Sequence, residues 1–182
     1  MDAMEWWVAA VVVIVLIGWY LSYSAARLDR LHARVEGSLN ALDAQLVRRA
    51  EATLELVTTG ELDPASSLML AGAAGEALDA GDEDASRREV AESDLTRALD
   101  LALSPVAVEH LRGEGLAADV LDRVAAANRK VQLARRFHND AVTQVRRVRG
   151  KQVVRVFRLA GHAEMPRTFE IDDELPTLER DH

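Results

Sequence analysis

No Asp, Glu, Lys or Arg interrupts the 21 residues from Trp6 to Ala26, and Val8 to Leu21 is nearly all Val, Ile, Leu and Ala. At ~1.5 Å per helical residue the run is about 30 Å long, the thickness of a bilayer's hydrocarbon core. Trp6 and Trp7 at one end, and Trp19, Tyr20 and Tyr23 at the other, stand where amphipathic rings anchor a span at both interfaces. Beyond the run the apolar positions become one-sided. Leu28, Leu31, Val35, Leu39, Leu42, Leu46, Ala50, Leu54 and Val57 recur about every 3.6 residues, which predicts an amphipathic helix that Gly60 ends.

Asp63-Pro64 reads as an N-cap followed by proline in the first helical position, and Gly81 as a terminator, so a second helix is expected from Ala65 to Ala80. Its Ala71-Gly72-Ala73-Ala74-Gly75 stretch is expected to be small-residue packing surface. It is not a phosphate loop, for it lacks the Lys-Ser/Thr pair and follows no strand. A third helix is expected from Ala85 to Leu103, with Val90, Leu95, Leu99 and Leu103 on one side. Ser104-Pro105 starts a short helical turn that ends by Gly115. In the last helix Val120, Val124, Ala127, Val131, Ala134, His138, Ala141, Val145 and Val148 step at a mean of about 3.5, a coiled-coil-like period.

The expected fold is therefore all-α: an N-terminal transmembrane helix followed by an antiparallel four-helix bundle with long, coiled-coil-like first and last helices. The expected divisions are 1–26, short N-terminus and anchor; 27–149, bundle; 150–170, basic amphipathic segment; and 171–182, acidic disordered tail. If the first helix leaves the membrane, up-and-down parity brings the last one back towards it. Residues after about Val145 then lie near the lipid surface.

Orientation follows from the flanks. Ser24-Ala25-Ala26 offers small residues where a signal peptidase could cut, but Met1 to Glu5 carry no Lys or Arg, unlike a signal peptide's positive n-region. Arg27, Arg30 and Arg34 follow the run directly. By the positive-inside bias the N-terminus lies outside and the bundle is cytoplasmic, giving a single-pass protein of the inner membrane.

Composition narrows the core. Aromatics are 4% of the chain, and apart from those flanking the apolar run only Phe137, Phe157 and Phe169 remain, so the core must be built from Leu, Val and Ala. That suits packed helices better than sheets. The chain has no cysteine, which excludes disulfides, thiolate metal sites and cysteine nucleophiles. The net charge of −8 is unevenly spread, with 4 basic and 17 acidic residues over 51–122 against 12 basic and 2 acidic over 123–167. The simplest account lays the acidic second and third helices beside the basic last one. In the segment behind the last helix, Lys151, Arg155, Arg158 and His162 would share one helical face, with Val153, Val154 and Phe157 opposite. That is an interfacial pattern suited to anionic lipid headgroups, with a strand over 153–159 as the other reading. Nucleic acid is not expected as a partner, since the chain is acidic overall and no aromatic stacking platform accompanies the arginines.

Two stretches resemble the LemA family. Leu42-Asp43-Ala44-Gln45-Leu46-Val47-Arg48-Arg49 followed by Leu56-Val57 is similar to that family's first-helix signature, and Ala134-Arg135-Arg136-Phe137-His138-Asn139-Asp140-Ala141-Val142 to its last-helix signature. Phe169-Glu170 stands where the family closes with an aromatic and Glu. The resemblance implies an antiparallel helical bundle on a single membrane tether, a family whose biochemical role is not established. Departures mark a divergent branch: the family's proline near Leu54 is absent, His138 replaces a usual tyrosine, and Val145-Arg146 replaces a second Tyr-Asn.

No catalytic, cofactor or metal residue is expected. A di-metal bundle site needs inward Glu-x-x-His pairs on two helices, and the nearest spacings are Asp29 to His32 beside the membrane and Glu179 to His182 in the tail. His138 lies on the apolar seam, where a hydrogen-bonded core histidine is the expected role. Asp43, Arg48, Arg49, Arg135 and Asn139, which carry the resemblance, are the candidate register or partner residues. The expected function is a non-enzymatic membrane-tethered adaptor or scaffold, in contact with the lipid bilayer and with a protein partner or a second copy. The alternative is an envelope-associated enzyme or enzyme activator using a polar pocket in the bundle.

Overall fold

The structure, a computed structural model, describes residues 3–81, 85–150, 164–175 and 178. They form five helices and no strand: α1 (Ala3–Thr58), α2 (Pro64–Asp79), α3 (Ala85–Ala102), α4 (Pro105–Gly113) and α5 (Gly115–Arg149). The short turn expected after Ser104-Pro105 is thus a helix in its own right. Residues 164–175 are irregular. The basic segment with Lys151, Arg155, Phe157 and Arg158 lies outside the described residues.

Local chemistry sets the helix ends. Gly60 and Gly81 follow α1 and α2 with φ of +79° and +53°, the left-handed conformation that only glycine adopts without strain. Asp63 caps α2: its Oδ1 accepts from the amides of Ala65 and Ser66, each at 3.0 Å, with Pro64 beginning the helix. Ser104 Oγ caps α4 in the same way, accepting from the Ala107 amide at 3.3 Å.

The residues group into two compact units, one comprising 1–37 with 139–168 and the other 38–138 with 169–182. In the first, α1 carries the apolar run. Every Val, Ile and Leu from Val11 to Ile17 is exposed, as are Trp6, Trp7, Trp19, Tyr20 and Tyr23. This is a helix long and apolar enough to cross a membrane. Further along, Leu31 and Val35 pack on Ala141, Val142 and Val145 of α5, and Arg34 donates to Gln144 Oε1. At the end of α5, Arg146 donates through Nε and Nη2 to the Pro166 carbonyl, and Arg149 through Nη1 to that of Glu164.

The second unit holds the main core, made of aliphatic side chains: Leu56, Leu70, Leu95, Leu99, Leu103, Leu111, Leu121 and Val124 are all at most 1% exposed. A smaller cluster joins Leu42 and Leu46 of α1, Val131 of α5 and Phe169. Between α1 and α5, Ser38 meets His138, Arg49 meets Asn128, and Glu55 meets Arg123, so numbers rising along one helix fall along the other.

The structure departs from the sequence pattern in four places. Ile171 to His182 was expected to be a disordered tail, yet Asp173, Leu175 and Leu178 are buried. Phe169, Leu175 and Leu178 supply apolar anchors at the core, outweighing the acidity of their neighbours. On α3, Val90 is exposed, and the face that turns inwards carries Arg88, Ala91, Glu92, Leu95, Thr96 and Leu99. On α1, Leu28, Val35, Leu42, Leu46 and Ala50 are buried as expected, but Leu39 is 45% exposed, Arg49 is buried beside Ala50, and beyond it the seam runs through Thr53 and Leu56 in place of Leu54 and Val57. In both helices polar residues occupy core positions because they bond to one another, as described below. On α2, Ala74 is in the core and Ala73 packs against it as the small-residue surface expected there, but a Cβ added at Gly72 or Gly75 would meet nothing within 4 Å, so the glycines take no part in that packing.

The Asp63 carboxyl is held below its ordinary pKa, chiefly by its hydrogen bonds with the Ser66 side chain and amide, and then by that of Ala65. A carboxylate depressed in the folded state stabilises it at neutral pH and loses that contribution as pH falls through the folded value. Asp63→Ala should therefore speed amide exchange at Ala65 and Ser66 at pH 7, and the gap from wild type should close in strong acid. A gap that persists unchanged there would mean that the cap does not act through its charge.

Candidate functional site: a buried arginine clasp and an outer groove

Arg49 lies at 0% exposure in the middle of the second unit. An unsolvated guanidinium is tolerated only with a counter-charge and bonded donors. Here its Nη2 donates to Glu92 Oε2 at 2.6 Å and to the Glu92 carbonyl at 2.9 Å. Its Nη1 donates to Thr96 Oγ1 at 3.0 Å and to Asn128 Oδ1 at 3.1 Å. One side chain of α1 thus binds both α3 and α5. Thr53 Oγ1 donates back to the Arg49 carbonyl at 2.9 Å, satisfying a hydroxyl that would otherwise be buried alone.

The network continues into the C-terminal segment. Asn128 Nδ2 and Gln132 Nε2 both donate to the Asp173 carbonyl, at 3.0 and 2.8 Å. Arg135 grips the Asp173 carboxylate with two bonds, Nε to Oδ2 at 2.6 Å and Nη2 to Oδ1 at 3.0 Å, the fork-on-carboxylate geometry that arginine favours. On its other side the segment is tied to α3: the Glu170 amide donates to Glu89 Oε1 and the Asp172 amide to Ser93 Oγ. Residues 169–175 therefore form a strap fastened to α3 and α5, which is why a stretch with no secondary structure of its own is buried at Asp173.

The candidate residues part company in this geometry. Asp43 pairs with Arg88 of α3, Arg49 is the hub, and Arg135 holds the strap. Arg48 is exposed on the other face of α1, and half-buried Asn139 belongs to the first unit. Arg48 and Arg49, adjacent in sequence, therefore have unrelated surroundings. His138 is buried with its Nδ1 3.2 Å from Ser38 Oγ, the setting of a bonded core histidine. Arg123 pairs with Glu55 of α1, as Arg135 does with Asp173 of the strap.

Glu92, Thr96, Asn128 and Asp173 were missed. The first three stand among Ala, Leu and Val on their helices, but a polar residue there reads as solvent-facing when its partner is distant in sequence. Asp173 had no signal, because an irregular segment has no period.

Outside the clasp, α1 and α5 bound a groove of about 320 Å³ lined by Ser38, Ala41, Gln45, Arg48, Lys130, Leu133, Ala134 and Phe137. A second hollow of about 300 Å³ shares Gln45, Arg48 and Lys130 and continues to Glu51, Glu55 and Arg123. Leu133 and Phe137 are 53% and 58% exposed, and Gln45 Oε1 is buried without a hydrogen-bond partner. Among the described residues no group of three or more His, Asp or Glu is placed to hold a metal ion.

These features define a helical protein with one candidate membrane-spanning helix and a clasped helical unit. No family model, curated protein or solved structure matches the chain.

The clasp predicts a coupled pair. Arg49→Met leaves Glu92 buried and unpaired and should cost about 3–5 kcal/mol, whereas adding Glu92→Met should restore part of that loss. Denaturant unfolding of the full chain in detergent measures both. Additive losses would show that the two side chains are not energetically linked.

Proposed function

We propose that this chain is a membrane-tethered adaptor or scaffold, non-enzymatic, whose helical unit is presented at the cytoplasmic face of the inner membrane. The observation that carries the reading is the exposed, uncharged stretch of α1 with aromatic rings at both ends. Exposing so much contiguous apolar surface to water is untenable for a soluble chain, while lipid is its natural solvent. Arg27, Arg30 and Arg34 at one end favour the cytoplasmic assignment.

The helices after the span are read as an antiparallel bundle of four main helices, with α4 as a short addition. The opposed order of the α1 and α5 partners in the second unit supports this, as do the short connections on either side of α2. The LemA resemblance is retained as part of the proposal. Its support is that Asp43, Arg49 and Arg135, which lie in the two similar stretches, each hold an ion pair within the second unit, and that Phe169 joins the core beside them. Anionic headgroups are proposed as a further contact for the basic segment with Lys151, Arg155 and Arg158.

The adaptor reading is supported by how the ionisable groups are used. Arg49 is paired with Glu92 and Arg135 with Asp173, and charges engaged in this way hold shape rather than offer a reactive group to a substrate. What faces outwards is a groove.

Because the chain has no cysteine, single introduced thiols report topology cleanly. With a membrane-impermeant maleimide on intact spheroplasts, Ala3→Cys should label at once and His182→Cys only after permeabilisation. Labelling of both without permeabilisation, or recovery of the chain in the soluble fraction, would contradict the proposal.

A further inference from the structure

The groove between α1 and α5 has two matched walls. On α1, Ser38, Ala41, Gln45 and Arg48 recur at three- and four-residue steps, and on α5 Lys130, Leu133, Ala134 and Phe137 stand at i, i+3, i+4 and i+7 of one face. Such stripes are the inner faces of two helices that a third helix can complete, by the packing that builds bundles. Small Ala41 and Ala134 leave room in the middle, while Leu133 and Phe137 raise an apolar wall that stays half-exposed. Two cations, Arg48 and Lys130, stand on opposite walls of the same stretch, and no acidic side chain lines it. Gln45 Oε1 is a buried acceptor without a donor beside it.

We propose that this groove seats an amphipathic helix of another protein, one whose apolar stripe is flanked by Asp or Glu. The proposal rests on the adaptor reading and supplies its docking surface and the chemistry of the partner. Charge decides the occupant. The apolar stripe lies over Ala41, Leu133, Ala134 and Phe137, and acidic residues on its two flanks meet Arg48 and Lys130. Two-fold pairing with a second copy would set this groove, lined by Arg48 and Lys130 and by no acid, against the same groove of its partner, which like-charge repulsion disfavours. The acidic helices α2 and α3 do not meet the need either, because their apolar faces, with Leu70, Ala74, Leu95 and Leu99, are buried in the core.

The test uses the full chain in lipid nanodiscs and a fluorescein-labelled three-heptad peptide with Leu at a and d and Glu at e and g, alongside its counterpart with Lys for Glu. The Glu peptide should raise anisotropy saturably and the Lys peptide should not. Arg48→Glu with Lys130→Glu should weaken the Glu peptide at least tenfold and admit the Lys peptide, while Leu133→Gln with Phe137→Gln should weaken the Glu peptide and admit neither charge type. All four side chains are surface residues outside the clasp, so melting curves should overlay wild type. Absence of Glu-peptide binding, equal binding of both peptides, or indifference to the charge reversal would overturn the proposal. So would a dimer in sedimentation that the charge reversal dissolves, which would make the occupant a second copy. A photocrosslinker at Leu133 in intact cells, with Leu68 and Leu101 as comparison sites, separates this failure from failure of the adaptor reading. Capture only from Leu68 or Leu101 would overturn the groove and leave the adaptor standing, and capture from no site would overturn both.

Discussion

Arg49 sets the terms for the second unit. Its guanidinium is at 0% exposure, and it could not stay there without the 1% exposed Glu92 and the neutral acceptors Thr96 and Asn128. Removing two charges from water costs several kcal/mol per ion, so the interaction contributes little net stability by itself. Its effect is on arrangement. A Leu–Val–Ala core packs acceptably in several helical registers, whereas an arginine with four bonds to two other helices makes all four in only one register. The strap is held by the same logic, since Asn128 faces Arg49 with its oxygen and Asp173 with its amide.

The helices were largely legible. Proline after Asp63 and Ser104, and glycine at 60 and 81, marked ends that the structure places within a residue or two, because capping is a local interaction. The faces were less legible. Val90 and Leu39 were assigned inwards on hydrophobicity and point outwards, while Arg88, Glu92 and Arg49 point inwards. A rule that sorts residues by polarity cannot find a polar group that is buried because its partner is distant in sequence: Arg49 and Glu92 are 43 residues apart, and Arg135 and Asp173 are 38 apart. The strap was unreadable for the same reason, its order being imposed by α3 and α5.

The three later aromatics illustrate the division of labour. Phe169 is buried and anchors the strap, Phe137 is exposed on the groove wall, and Phe157 lies outside the described residues. The five early ones flank the exposed apolar stretch of α1. Within the proposed function, the span supplies location, the clasp supplies a fixed shape and the groove supplies selectivity. Arg48 and Arg49 show how closely shape and selectivity are set side by side. One of two neighbouring arginines is spent on the fold and the other faces outwards from it.

The most direct test of the clasp is ¹⁵N NMR of the arginine side chains in the full chain, with Arg49→Met identifying the signals of Arg49. A guanidinium held by Glu92, Thr96 and Asn128 should show slowed rotation, separate Nη resonances and hydrogens protected from solvent until the second unit unfolds. A single averaged Nη signal exchanging as fast as that of exposed Arg48 would contradict the account.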